Sequence, residues 1–152
     1  MTMEGGDSMA RIERSIRVDA APENVWPLLF WHRLPEWLDL FKQVECTSNT
    51  PNQVGAIFHV IGEAGGVKTE FDVEVTELVD ATHAVWRTTG GSFTGFGKTS
   101  LQHLDDGTEI TFMIDYELPY SILGLILDKL MVSREIAQGF DQGLEKLKRI
   151  VE

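Results

Sequence analysis

The stretch "YSILGLILDKLMVSREIAQGFDQGLEKLKRIVE" (Tyr120–Glu152) decides the fold of this chain. It contains no proline. Leu123, Leu127, Leu130, Ala137, Phe140, Leu144, Leu147 and Val151 recur three, four or seven residues apart, which is the period of one helix face. At 1.5 Å per residue such a helix reaches on the order of 40 Å, enough to cross a small domain. Whatever precedes it must therefore supply a surface to receive it.

What precedes it reads as strands. Ile12, Arg14, Ile16 and Val18 alternate with Arg11, Glu13, Ser15 and Arg17, the pattern of a strand with one buried face and Arg14 as its exception. Pro22 and Glu23 then suit the first turn of a helix carrying Val25, Trp26, Leu28, Leu29 and Phe30, which Pro27 keeps short. A second short helical piece is expected from Pro35, holding Trp37, Leu38 and Phe41. Strand patterns follow at 43–48, 55–61, 69–79, 83–89, 93–104 and 108–118. They are separated by polar or glycine-bearing turns, among them Gly90-Gly91 and Asp105-Asp106-Gly107, whose residues tolerate positive φ. Hairpin-joined strands imply an antiparallel meander, with one apolar face and one acidic, solvated face.

Length and composition fit one domain, with residues 1–10 as a flexible leader and 11–152 as the folded unit. The single cysteine, Cys46, excludes an internal disulfide and a cysteine-based zinc cluster. It fits a reducing, cytoplasmic setting. The net charge of −11 lies wholly before the last helix, because residues 121–152 hold five acids and five bases. With no basic footprint, nucleic acid is not expected as a partner. No run approaches the length needed for stable membrane insertion.

The stretches "IRVDAAPENVWPLL" (16–29), "VGAIFHV" (54–60), "FDVEVTEL" (71–78), "LDDGTEITFMIDYELP" (104–119) and "LGLILDKLMVSREIAQGFDQGLEKLKRI" (123–150), in this order, resemble the START-like (SRPBCC, polyketide cyclase/dehydrase) superfamily. The resemblance implies an α+β helix-grip fold: a first strand, two short helices, six more strands, and a long terminal helix gripped by the curved sheet. It also implies a ligand cavity beneath that helix. Members bind lipids, sterols, quinones, polyketides or plant hormones, and some are cyclases. The fold therefore does not choose the chemistry.

The candidate cavity-lining residues are Trp31, Trp37, Phe41, His59, Phe71, Val73, Trp86, Phe112, Ile114, Tyr116, Leu127, Leu130 and Arg134. Trp86 reads equally as a flat pocket wall or as ordinary core. The Tyr116 hydroxyl, on the apolar face, needs a partner: a ligand group or the backbone. Arg134, near the apolar stripe, either holds an anionic group over the cavity or pairs at the stripe edge with Glu135 or a sheet carboxylate. His59, in "AIFHVI", is the histidine best placed to act as a base; the ordinary structural role competes with it. Histidine spacing matches no metal site, and "GGSFTGFGK" (90–98) lacks the spacing of a phosphate-binding loop. No metal and no cofactor are expected. The acidic residues of the strands fall opposite the apolar ones, on the solvated face. Gly95 and Gly97 suggest a strand bend or a close approach, and Gly139 and Gly143 a close approach of helix to sheet. Ile122–Val132, apolar nearly all round, is expected to close the cavity under the tryptophan-rich segment or to form a partner or transient membrane contact. The sequence reading is thus binding of a small hydrophobic ligand, with a cyclase/dehydrase-type enzyme as the alternative and a partner-binding module as a third class.

Overall fold

The computed structural model describes residues 9–64, 66–117 and 129–152. Seven strands run β1 (Met9–Val18), β2 (Phe41–Cys46), β3 (Ile57–Ala64), β4 (Val67–Val79), β5 (His83–Gly91), β6 (Thr94–Leu104) and β7 (Gly107–Glu117). They form one antiparallel sheet in the order β1-β7-β6-β5-β4-β3-β2. Each neighbouring pair from β2 to β7 is a hairpin, and β1 closes beside β7 with Ile12 opposite Ile114. The first strand starts at Met9, two residues before the expected boundary. The register shifts in β4 against β5 at 72/73 and 75/77, and in β2 against β3 at 41/43. Such extra residues sharpen the local twist, and here they help curl the sheet into a half-barrel.

Between β1 and β2 the chain makes a four-residue helix α1 (Pro22–Val25) and two 3-10 turns, Trp26–Leu29 and Trp31–Glu36. Proline placement explains why neither grows longer. Pro27 opens the first turn and Pro35 lies inside the second, each removing a backbone donor. The second piece therefore begins at Trp31 rather than at Pro35, and Phe41 belongs to β2. At the Asp105-Asp106 hairpin the turn is real but its expected cause is not, since neither aspartate has positive φ. Gly107 is demanded by packing instead: a Cβ there would lie 2.3 Å from the Val18 carbonyl oxygen. Gly90 and Gly91 extend β5 rather than forming the turn, and Gly91 takes φ 105°.

Helix α2 (Lys129–Val151) lies in the concave face. The expected helical residues 120–128, including Leu123 and Leu127, fall outside the described residues. Phe140, Leu144 and Leu147 are buried. Arg14, the exception on the β1 face, is accounted for by a 2.7 Å ion pair with Asp141 of α2. The far end is tied down by Lys148 donating to the Arg17 carbonyl and by the Asp19 N–H donating to Glu152. Gly139 and Gly143 do not meet the sheet. They receive the segment entering β2: a Cβ added at 143 would fall 3.0 Å from the Trp37 carbonyl and 2.8 Å from Leu38 Cδ1. Leu40 occupies the same place over Gly139. Both segment and helix can be buried together only because these two positions lack a side chain.

Trp37 joins the layers. It is 1 % exposed. Its indole N–H donates to the Leu28 carbonyl at 2.8 Å, and its ring lies 5.7 Å from that of Phe112 on β7. Trp37→Phe leaves that buried carbonyl without its donor and should cost about 1–3 kcal/mol. Gly143→Ala gains about 1 kcal/mol of helix propensity but forces backbone and Leu38 apart, which costs about 1–3 kcal/mol. In urea titrations both variants should unfold at lower concentration than the parent. Gly139→Ala, which meets only the Leu40 side chain, should lose less than Gly143→Ala.

Candidate functional site

The concave face and the 3-10 turns line an apolar cavity of about 60 Å³, partly open to solvent. Its walls come from four directions. The 3-10 turns and the segment after them supply Trp31, Leu34 and Trp37, and the sheet supplies Phe41, Phe58 and Trp86. Strand β7 adds Phe112 and Ile114, and α2 adds Phe140. Thr99 on β6 carries the only hydroxyl among the described lining residues.

Aromatic rings fill most of the space between sheet and turns. Trp86 meets Trp31 edge-on at 5.0 Å, and Trp31 meets Phe41 at 5.3 Å. The run continues through Phe71 at 6.2 Å, Phe93 at 4.9 Å and Tyr116 at 5.5 Å. Each contact lies in the range where ring pairs attract beyond simple burial. Gly97 lets Trp86 lie flat over β6, because a Cβ there would fall 2.6 Å from Trp86 Cζ2. The close approach expected at Gly97 thus comes from an indole of the same sheet.

Of the expected site residues, Trp31, Trp37, Phe41, Trp86, Phe112 and Ile114 border the cavity. Phe71 and Val73 are buried beside it without facing the void. Tyr116 is 2 % exposed, lies in a small cluster with Ile12, and is covered by Phe93. Its hydroxyl donates to Ser133 Oγ of α2 at 3.4 Å, and burial raises its pKa. The partner is thus a helix side chain rather than the backbone. Leu127 and the side chain of Leu130 fall outside the described residues.

Two expectations need correction. His59 is on the convex face: its ring bridges Asp72 at 2.7 Å and Glu70 at 2.6 Å across β3 and β4. Its neighbours Phe58 and Val60 point inward, and the two-residue period of a strand sends His59 outward. Arg134 is exposed on α2. It lies about 80° around the helix from Leu144, outside the buried stripe.

The histidine in contact with rings that line the cavity is His32, itself exposed and outside the lining. Its ring is stacked between Phe30 at 6.1 Å and Phe58 at 6.2 Å. A lone histidine beside a tryptophan in a helical segment gives no periodic signal, so alternation could not have found it. The two histidines titrate in opposite directions. Hydrogen bonds to Asp72 and Glu70 raise the His59 pKa, whereas burial, aided by Arg33, lowers that of His32. His59 therefore favours the folded state at pH below the ordinary histidine value, and that contribution fades as pH rises through its raised pKa. For His32 the favourable neutral form is complete above the ordinary value and is lost as pH falls. An NMR titration should find His59 above and His32 below an exposed histidine. Asp72→Asn should bring His59 down toward the ordinary value and leave His32 unmoved.

Residues 9–152 match the family described as polyketide cyclase / dehydrase and lipid transport. The chain belongs to this family. An uncharacterised 17.2 kDa protein of Streptomyces lincolnensis is 26% identical over 148 residues, 95% of this chain and 91% of that one. A START superfamily protein from Mycobacterium smegmatis shares the fold at a TM-score of 0.74 and 16% identity, over 93% of this chain and 96% of its own. The Zhui aromatase/cyclase from Streptomyces sp. R1128 does so at 0.71 and 16% identity, over 95% and 96%. These two likenesses show the helix-grip fold alone. Among the described residues no helix is long and apolar enough to cross a membrane.

Proposed function

We propose that this family member binds a small hydrophobic molecule, such as a lipid, an isoprenoid or quinone, or an aromatic polyketide, between the sheet and α2. The observation that carries the reading is the apolar, ring-lined void at the meeting point of Trp31, Trp86, Phe112 and Phe140. Flat rings around a void suit a flat or chain-like apolar guest. At about 60 Å³ the void is well below the several hundred Å³ typical of small-molecule sites. Entry of a guest must therefore displace side chains. The 3-10 turns carrying Leu29, Phe30 and Trp31 are suited to this, being short and held by few internal hydrogen bonds. Binding energy would come from apolar burial, about 25 cal/mol per Å². The Thr99 hydroxyl and the indole N–H groups of Trp31 and Trp86 would fix orientation, that of Trp37 being committed to Leu28.

Native mass spectrometry of freshly purified protein, followed by solvent extraction, tests the reading. A co-purifying apolar molecule is expected, and added 2-naphthol should shift the indole N–H resonances of Trp31 and Trp86. Gly97→Val, which pushes Trp86 into the void, should reduce 2-naphthol affinity at least about tenfold, because a misplaced indole and the guest compete for one volume. An empty protein whose indoles ignore 2-naphthol overturns the reading.

A further inference from the structure

A second cavity, a surface groove of about 420 Å³, opens between α1, the following 3-10 turn and the β4–β5 turn. Two of its wall residues, Phe30 and Leu78, also line the interior void. On the β2–β3 loop the boundary recurs between neighbours: Pro51 borders the void and Asn52 the groove. The two spaces are thus back to back, divided by two half-buried apolar side chains. The groove floor is apolar (Trp26, Pro27, Phe30, Leu78, Ala81), while its rim holds the exposed carboxylates Glu23 and Asp80. Ala81 has φ 54°, the one positive value outside glycine among the described residues. Glycine would take that conformation more cheaply, but the alanine methyl keeps the wall apolar.

We infer that this groove is the outer half of the ligand site and selects an amphiphile with a cationic head. The apolar part passes between Phe30 and Leu78 into the void, and an ammonium-type group rests between Glu23 and Asp80. The inference rests on the interior-binding reading above and adds the route and the head-group class. Phe30 is the movable element. It sits at the end of a 3-10 turn, edge-on to Trp26 at 5.8 Å and stacked on His32, so a rotation exchanges one set of ring contacts for contacts with the guest. Two carboxylates at the rim make an anionic head unfavourable there, and the contrast is weakened by salt because both are exposed.

The full-length protein, labelled with 15N, separates the possibilities with three probes of equal chain length: dodecylamine, dodecan-1-ol and dodecanoate, each below its aggregation limit. The Trp86 indole reports the void, and the Trp26 indole with the Asp80 amide report the groove. Dodecylamine should shift all three signals and bind roughly fivefold more tightly than dodecanoate, with the alcohol between them. Glu23→Lys combined with Asp80→Lys should abolish or reverse that order. The same charge change at Glu13 and Glu45, both exposed and neither among the residues lining the groove, should preserve it. If dodecylamine moves Trp86 while Trp26 and Asp80 stay still, the inference fails and interior binding stands. It fails in the same way if both double variants change the amine-to-acid ratio equally, or if neither does. If no probe moves Trp86, interior binding fails and takes this inference with it.

Discussion

One buried hydrogen bond, from the Trp37 indole to the Leu28 carbonyl, holds the three layers of this protein in register. It fixes the distance between the first 3-10 turn and the segment that enters β2. That segment in turn lies against Gly143 of α2, while the Trp37 ring presses on Phe112 of β7. Helix, turns and sheet therefore share a single contact point. The position of the cavity follows from it, because Trp31 and Phe30 hang from the stretch between the bonded residues. A longer helix in place of the 3-10 turns would fill the space, but Pro27 and Pro35 prevent one from forming.

The order of the elements was legible because each pattern had a single solution. A strand such as Ile110–Phe112–Ile114–Tyr116 can bury only one face, and a 23-residue helix without proline needs a sheet to cover it. The same rule could have placed His59. It lies between Phe58 and Val60, and one strand cannot turn all three inward. Arg134 is harder, because the apolar stripe in the sequence runs through Ala137, a residue small enough to sit at the edge of a buried face.

The glycines show what sequence patterning withholds. Gly97, Gly107, Gly139 and Gly143 each mark a close approach; the sequence hints at contact for three of them, pointing to the sheet for Gly139 and Gly143 and to no particular partner for Gly97. The partners are a Trp86 ring, a Val18 carbonyl, Leu40 and the Trp37–Leu38 backbone. All but Trp86 belong to segments distant in sequence. The stacking of His32 between Phe30 and Phe58 is hidden for the same reason: it joins a turn to a strand by way of tertiary structure alone.

The void at the centre also has a mechanical meaning. Empty volume inside a folded chain is volume released on unfolding, and it is the main reason that hydrostatic pressure favours the unfolded state. Here that volume is about 60 Å³, so its share of the unfolding volume is on the order of tens of mL/mol. A guest that fills the space removes that share. Occupancy would then make the protein less compressible, and the same rings that line the void would set how stiff the filled protein becomes.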